Sequence, residues 1–516
     1  MSLRLHLAVL FLITLSSVAH AQPVGTFGDP RRPDELLTAA NKGDTNAMHL
    51  VGRCYHNGVG FKKDVALAIE WYTKGAAGGD ARSMNNLGAM YRSGSDVPRD
   101  TPKALEWFRK AAADTSKPTD KDYPGIQLAW MNLGDAYESG DDLEKNLPEA
   151  FKCFIEGAKA GSLHCMERAG EYLMDGLHGT KDATESYQWF LKAAEAGSAY
   201  AMGQVAYALD EGDGVAKNQI AAHEWYTRSA IGGNAWAMNK VANNLRAGKV
   251  ATKDSEKAAG WYRAAAGKGD RDAMTNMGHI LAAGDGIEKN PAAALLWYAK
   301  AARMGQIEAM TALATVYETG KVGGVDTSDS IDFKEANHWT LAAANGGDAN
   351  SMLTAAVMYA QGLRGPRDPK LSAEWLRKAL ATGNEQVQQR YALLLLNDKV
   401  WPADPASAAS ILTTLAGKGN ALAMVQVAHL HLKGLGVEQS FEKAHEWFRK
   451  AADLGQPQAM YSVGVGYAKG EGVKADKAEA RKWIQKAKDA GYPAADAALK
   501  MLDEDEKKDI KKTEEK

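Results

Sequence analysis

The chain has 516 residues, 45% hydrophobic and 24% charged, which excludes a wholly disordered chain, a collagen and a multi-span membrane protein. Lys and Arg number 62 against 64 Asp and Glu, and a formal net charge of −2 argues against a coat for nucleic acid or an anionic membrane. Three Cys cannot build a disulfide scaffold, but 51 Gly with 15 Pro, and 13 Trp with 10 Phe, need an explanation.

Residues 1–21 read as a secretory signal. Arg4 gives the positive start, Leu7–Leu15 the apolar stretch, and Ala19-His20-Ala21 the small-x-small cleavage site. This predicts cleavage after Ala21 and a periplasmic or secreted protein. Residues 22–33 form a short leader containing Pro. No later segment has the eighteen or so uninterrupted apolar residues of a membrane span.

From there the chain is one unit repeated. Trp189, Trp225, Trp261 and Trp297 are 36 residues apart, as are Trp71 and Trp107, Trp339 and Trp375, and Trp447 and Trp483. Cys153 and Ile411 fill the remaining two of twelve slots. Two intervals are longer, because Asp114–Pro124 and Lys321–Phe333 carry insertions. Such insertions can contact a partner, but loop length costs little, and tolerated drift is the simpler expectation. Thirty-six residues accommodate two helices of three to four turns and two loops.

Twenty-three residues before each slot lies a second lattice, Met in ten of twelve repeats, with Trp130 and Gln388 as the substitutes. An apolar residue follows three positions later and Gly or Ala four later, as in Met84, Leu87 and Gly88. This is one face of a helix, here called helix A. The small residue predicts that a neighbouring backbone approaches closely, since Gly inside a helix otherwise costs about 1 kcal/mol. Helix B carries the Trp slot. Both helices end at Gly in eleven repeats, as at Gly94 and Gly79, which fits a residue at positive φ; Asp398 is the exception after helix A. Asp34–Lys42 reads as a lone B-type cap and Pro493–Leu502 as a final A-type helix. Asp503–Lys516, almost all charged, is expected to be a disordered tail.

These residues carry a resemblance. Met84, Leu87, Gly88, Tyr91 and Gly94, followed by Lys103, Ala104, Trp107, Phe108, Ala111 and Ala112, resemble the Sel1-like repeat, a relative of the tetratricopeptide repeat. The match covers roughly residues 34–502. It implies an all-α fold, a right-handed α/α superhelical solenoid of TPR-like helix pairs. It also implies a non-enzymatic scaffold or adaptor binding a protein or peptide with the helix A side, in envelope signalling, secretion or host interaction. A cysteine-rich branch of the family has a disulfide in each repeat and includes members described as β-lactamases. Here Cys54, Cys153 and Cys165 fall in three different repeats, and a Cys153–Cys165 bridge stays open.

With the tetratricopeptide register, the concave positions begin with a basic group, including His49, Arg53, His56, Arg82, Asn85 and Arg92. An acidic group follows: Asp135, Glu138, Glu167, Glu171, Asp175, Asp210 and Glu211. Then come Tyr200 and Tyr207 with Trp236, Asn239, Asn243 and Arg246. Asn pairs with peptide backbone, and Trp and Tyr are common anchors. The candidate partner-binding residues are therefore Arg53, Arg82, Asn85, Arg92, Tyr200, Tyr207, Trp236, Asn239, Asn243 and Arg246. Aromatic side chains also stack on sugars, so an envelope polysaccharide is the alternative ligand.

No catalytic constellation emerges. His223-Glu224 and His445-Glu446 start like a zinc-protease motif, but Thr227 and Arg449 stand where the second His belongs. His49, Arg53 and His56 share a face and read as a solvated basic surface rather than a metal site. The Gly58-Val59-Gly60 and Gly212-Asp213-Gly214 loops join helices and lack any nucleotide motif. No metal, cofactor, nucleic acid or membrane span is expected, and the protein is expected to be a monomer.

Overall fold

The computed structural model describes residues 28–29, 31–113, 125–140, 143–327, 331–363 and 365–514. The signal of residues 1–21 and the insertion Asp114–Pro124 lie outside them. The described residues up to Trp261 form one compact unit and those from Tyr262 onward a second. Among them are 26 α-helices and one two-stranded hairpin. The fold is an all-α solenoid in which helices A and B alternate. Most helices have 13 residues, as in Ala81–Ser93 and Ala235–Ala247.

Local chemistry sets the helix length. Asp80 caps Ala81–Ser93 by accepting the Ser83 N–H at 2.9 Å, and Asn234 caps Ala235–Ala247 by accepting the Ala237 N–H at 3.0 Å. Each cap satisfies an amide that the helix leaves orphaned. At the other end Gly94 takes φ 66°, where a side chain would be strained.

The small residue of helix A has a different partner from the backbone the sequence suggests. A Cβ on Gly88 would lie 2.5 Å from the Phe108 ring, and one on Gly134 2.4 Å from Phe154. In most repeats the residue after the Trp slot sends a ring against helix A, so the gap receives a side chain. Tyr72, Phe108, Phe154 and Tyr226 occupy this position and are fully buried. The Trp is itself largely buried, and a cation three residues on covers its ring. Lys74 Nζ lies 4.4 Å from the Trp71 ring centre, Lys192 4.0 Å from Trp189 and Lys450 4.3 Å from Trp447. The Trp excess is this packing rule repeated, and most of the Gly excess lies at helix ends and turns with positive φ.

Two further features depart from the sequence reading, and a third bears on the bridge it left open. The second insertion folds, in its described part, into a hairpin, Lys321–Val322 against Val325–Asp326. Gly323 and Gly324 make its turn at φ 55° and 79°, as a two-residue hairpin requires. Val322 is buried, and Lys289 Nζ donates to the Gly323 carbonyl at 2.8 Å, so the segment is built into its neighbours. The last helix runs Ala495–Glu514, well past Leu502. Its charged stretch is rich in Glu and Lys, good helix formers. Arg481 anchors its middle through Asp503 at 2.6 Å. Finally, Cys54, Cys153 and Cys165 are free and buried. Burial pushes the Cys153 thiol up to about 12 and the Cys165 thiol up to about 11.

Candidate partner-binding cleft

The positions predicted to line one wall have three different fates. The basic group is engaged internally. Arg82 donates to Asp80 at 3.0 Å and to Asn46 at 2.8 Å. Asn85 is 4% exposed and donates through Nδ2 to the Ala81 carbonyl at 2.9 Å and to the Gly125 carbonyl at 2.6 Å. It is a structural tie between consecutive helices A, not an open contact. Arg92 reaches Ser139 Oγ at 3.4 Å and Arg53 is half-buried. Nor is His49 solvated. It is 5% exposed, 3.5 Å from Asp80, and burial holds its pKa down to about 4. His56 and Lys63 both bind Asp96, at 2.9 and 3.0 Å.

The acidic group is partly neutralised by a residue the sequence did not single out. Arg168 bonds both Glu138 and Glu171. Ser198 Oγ donates to Glu167, and the Tyr200 hydroxyl donates to Glu171 at 2.8 Å.

The aromatic group opens outward. Tyr200, Tyr207 and Trp236 share a cleft of about 640 Å³ with Met174, Asp175, Lys181, Gln204, Asp213 and Asn234. Trp236 is the second residue of its helix. Side chains there lean back toward the helix start, which carries the indole toward Ala199–Glu211. There it lies beside Gly203, where an added Cβ would just touch the indole at 3.4 Å. The Tyr207 and Trp236 ring centres are 6.2 Å apart, and the buried Tyr226 meets Trp236 edge-on at 5.5 Å. Tyr200 and Tyr207 are 37% and 38% exposed, which leaves their faces open.

Asn239, Asn243 and Arg246 do not line this cleft. Asn239 is buried at 5% exposure, because its helix turns it inward beside Met238, whereas Asn243 is exposed. Sequence reasoning missed Gln204, Asn234, Lys181 and Asp213. Asn234 reads only as a helix cap, and Lys181 and Asp213 sit in loops that a helix register does not reach. Among the described residues no group of three His, Cys, Asp or Glu is placed to hold a metal ion. No helix of the described residues is long and apolar enough to cross a membrane.

The Sel1 repeat family model matches residues 45–80, 81–116, 129–162, 163–198, 198–234, 237–270, 271–306, 307–348, 349–384, 421–456 and 457–492. The chain belongs to the Sel1 repeat family. The unmatched stretch between 384 and 421 holds two of the four substituted slots, Gln388 and Ile411. Among solved structures, the Sel1 repeat chain is similar to c5321, described as a protective antigen present in uropathogenic Escherichia coli strains and displaying an SLR fold. Identity is 27%, covering 92% of this chain and 97% of that one, with a TM-score of 0.67. A Sel1 repeat protein from Oxalobacter formigenes is 24% identical over 62% of this chain and 88% of its own, with a TM-score of 0.48. No curated protein matches the chain. Sel1 repeats typically mediate protein interactions. The cleft lies across helices A of three consecutive Sel1 repeats, the first ending at Asp175 and the third starting at Ala235.

Proposed function

We propose that this Sel1 repeat protein is an exported, non-enzymatic scaffold that holds a protein or peptide partner in the cleft of Tyr200, Tyr207 and Trp236. One observation carries the reading. Three aromatic side chains from two helices A open on a single cleft, while the polar positions of the first repeats are turned to internal bonds. Rigid aromatic side chains give large contact area for little lost entropy, which is why they anchor interfaces. The cleft needs no rearrangement to admit an extended segment, so recognition is groove docking onto a preformed surface.

Export rests on the signal pattern of residues 1–21, and the likeness to a protective antigen is consistent with a protein met outside the cell. A photo-crosslinking amino acid at Tyr207 should join the protein to a discrete partner in its native cells. The same probe at Ile220, 68% exposed on the following helix B, should not. Adducts absent at Tyr207 but present at Ile220 overturn the reading. Protein purified from the periplasm or medium should begin at Gln22; a cytosolic protein retaining Met1 overturns export.

A polysaccharide ligand is favoured by one observation, the amides of Gln204 and Asn234 beside the rings. Tyr207-dependent binding on a glycan array, with no peptide binding, decides for it.

A further inference from the structure

We infer that the cleft selects a cationic side chain, an arginine or lysine of the partner peptide, laid against Trp236 and Tyr207 with Asp175 and Asp213 at the rim. This deepens the reading of the cleft as a peptide site and rests on it.

Charge is the first support. Of the three helices A at the cleft, Leu163–Asp175 and Ala199–Glu211 carry five carboxylates and a single guanidinium, Arg168, while Ala235–Ala247, which brings Trp236, carries Lys240 and Arg246, neither of them in the lining. The Arg168 guanidinium is committed to Glu138 and Glu171, so it does not cancel the charge at the rim. Neither of the first two helices has a basic residue in its last turn. Both end at the cleft, Asp175 being the last residue of one and Asp213 following the Gly212 cap of the other. A helix C-terminus carries partial negative charge from its unpaired carbonyls. Two such ends therefore add to the two carboxylates. Lys181 is the one cation of the lining.

Ring chemistry is the second support. An aromatic face attracts a cation through its quadrupole, and indole does so best. Trp236 already shows this on this chain, with Lys240 Nζ 5.4 Å from its ring centre, and Lys240 is not among the lining residues. Three ring faces, two open carboxylates and two helix C-termini together disfavour an acidic peptide and give a neutral one no charged partner. Gln204 and the Asn234 amide, whose oxygen is used in capping, supply polar contacts for the peptide backbone.

The test is selection of a random peptide display library on the full chain, followed by titration of a synthesised, enriched peptide. Enriched sequences should carry Arg or Lys and should be lost on Tyr207→Ala. Changing the peptide's basic residue to Gln should weaken binding about tenfold, the size of a partly desolvated cation–π contact. The pair Asp175→Asn and Asp213→Asn should weaken it similarly. Lys181→Gln should tighten it, and added salt should weaken it. Peptides that need Tyr207 but carry no basic residue overturn the cation inference and leave the peptide site standing. Absence of any Tyr207-dependent peptide, or binding of neutral oligosaccharides there instead, overturns both. Circular dichroism of each variant, unchanged from the parent, ensures that a loss reports the cleft.

Discussion

The helices A of the first two repeats and those of the fifth and sixth present the same register positions to opposite ends. In the early pair the polar side chains are consumed. Asn85 ties two helices, Arg82 bridges Asp80 and Asn46, and His49 is sealed in. In the later pair the equivalent stretch keeps Tyr207 and Trp236 at an open cleft. A register states where a side chain leaves its helix. Whether it meets solvent depends on the neighbouring helix, and a polar group close to another backbone is drawn into a bond because leaving it buried and unpaired is costly. In a solenoid, therefore, aromatic residues left exposed on helix A are better pointers to a partner than polar ones.

The contrast can be broken most severely at the shared packing rule. Gly88→Leu forces a side chain into the Phe108 ring, 2.5 Å from where its Cβ must lie. It should cost about 3 kcal/mol, as strong overpacking does, seen as a lower thermal midpoint of the purified chain. An unchanged midpoint contradicts the ring-on-glycine packing. Next, Asn85→Ala should cost about 1–3 kcal/mol by leaving the Gly125 carbonyl buried without its donor. Glu211→Ala, exposed at the end of helix A in the later pair, should stay within about 0.5 kcal/mol. Equal effects in urea unfolding would erase the distinction between the two regions.

A third difference is in pH. Burial lowers the folded pKa of His49 from 6.5 to about 4, so the native state holds it neutral. The unfolded chain takes up that proton first. Its contribution to stability is therefore complete above about pH 6.5 and is lost as pH falls toward 4. His49→Gln should flatten the slope of unfolding free energy over that window. No change in slope would place His49 in contact with water. The smallest effect belongs to the outer face. Lys192→Ala removes the ammonium 4.0 Å from Trp189 and should cost about 0.5 kcal/mol, within the range of an exposed cation–π pair. A loss several times larger would mean that the cation seals the core.

Much of this was legible in the sequence because each slot is repeated a dozen times. The alternation of helices A and B, their glycine ends and the close approach at Gly88 all follow from spacing. What approaches Gly88 did not, since Phe108 is adjacent to the Trp that marks the lattice and its position varies among Tyr, Phe, Leu, Ile and Thr from repeat to repeat. Asn85 was assigned to an open wall because the tetratricopeptide register treats the position after the Met slot as open, whereas His49, Asn85, Asn239 and Thr275, all at that position, are buried. The next helix A is Gly125–Ser139, 15 residues long rather than 13, and its first carbonyl meets Asn85. Tyr200, Tyr207 and Trp236 stood out as aromatic residues at positions that elsewhere are mostly polar. Gln204, Asn234, Lys181 and Asp213 carry no such mark.

The unit between residues 384 and 421 has a consequence of its own. Its helix A, Glu385–Leu394, is three residues short, its Trp slot is Ile411, and the family pattern passes over it. Trp401 fills part of the gap, its ring edge-on to Tyr391 at 5.6 Å. A linear array has no distant contacts to lend to a thin interface, so its stability there is set by nearest neighbours. Amide protons along Glu385–Leu394 should therefore exchange through a local opening that flanking units do not share. Such an opening would set a boundary of cooperativity inside the second unit itself.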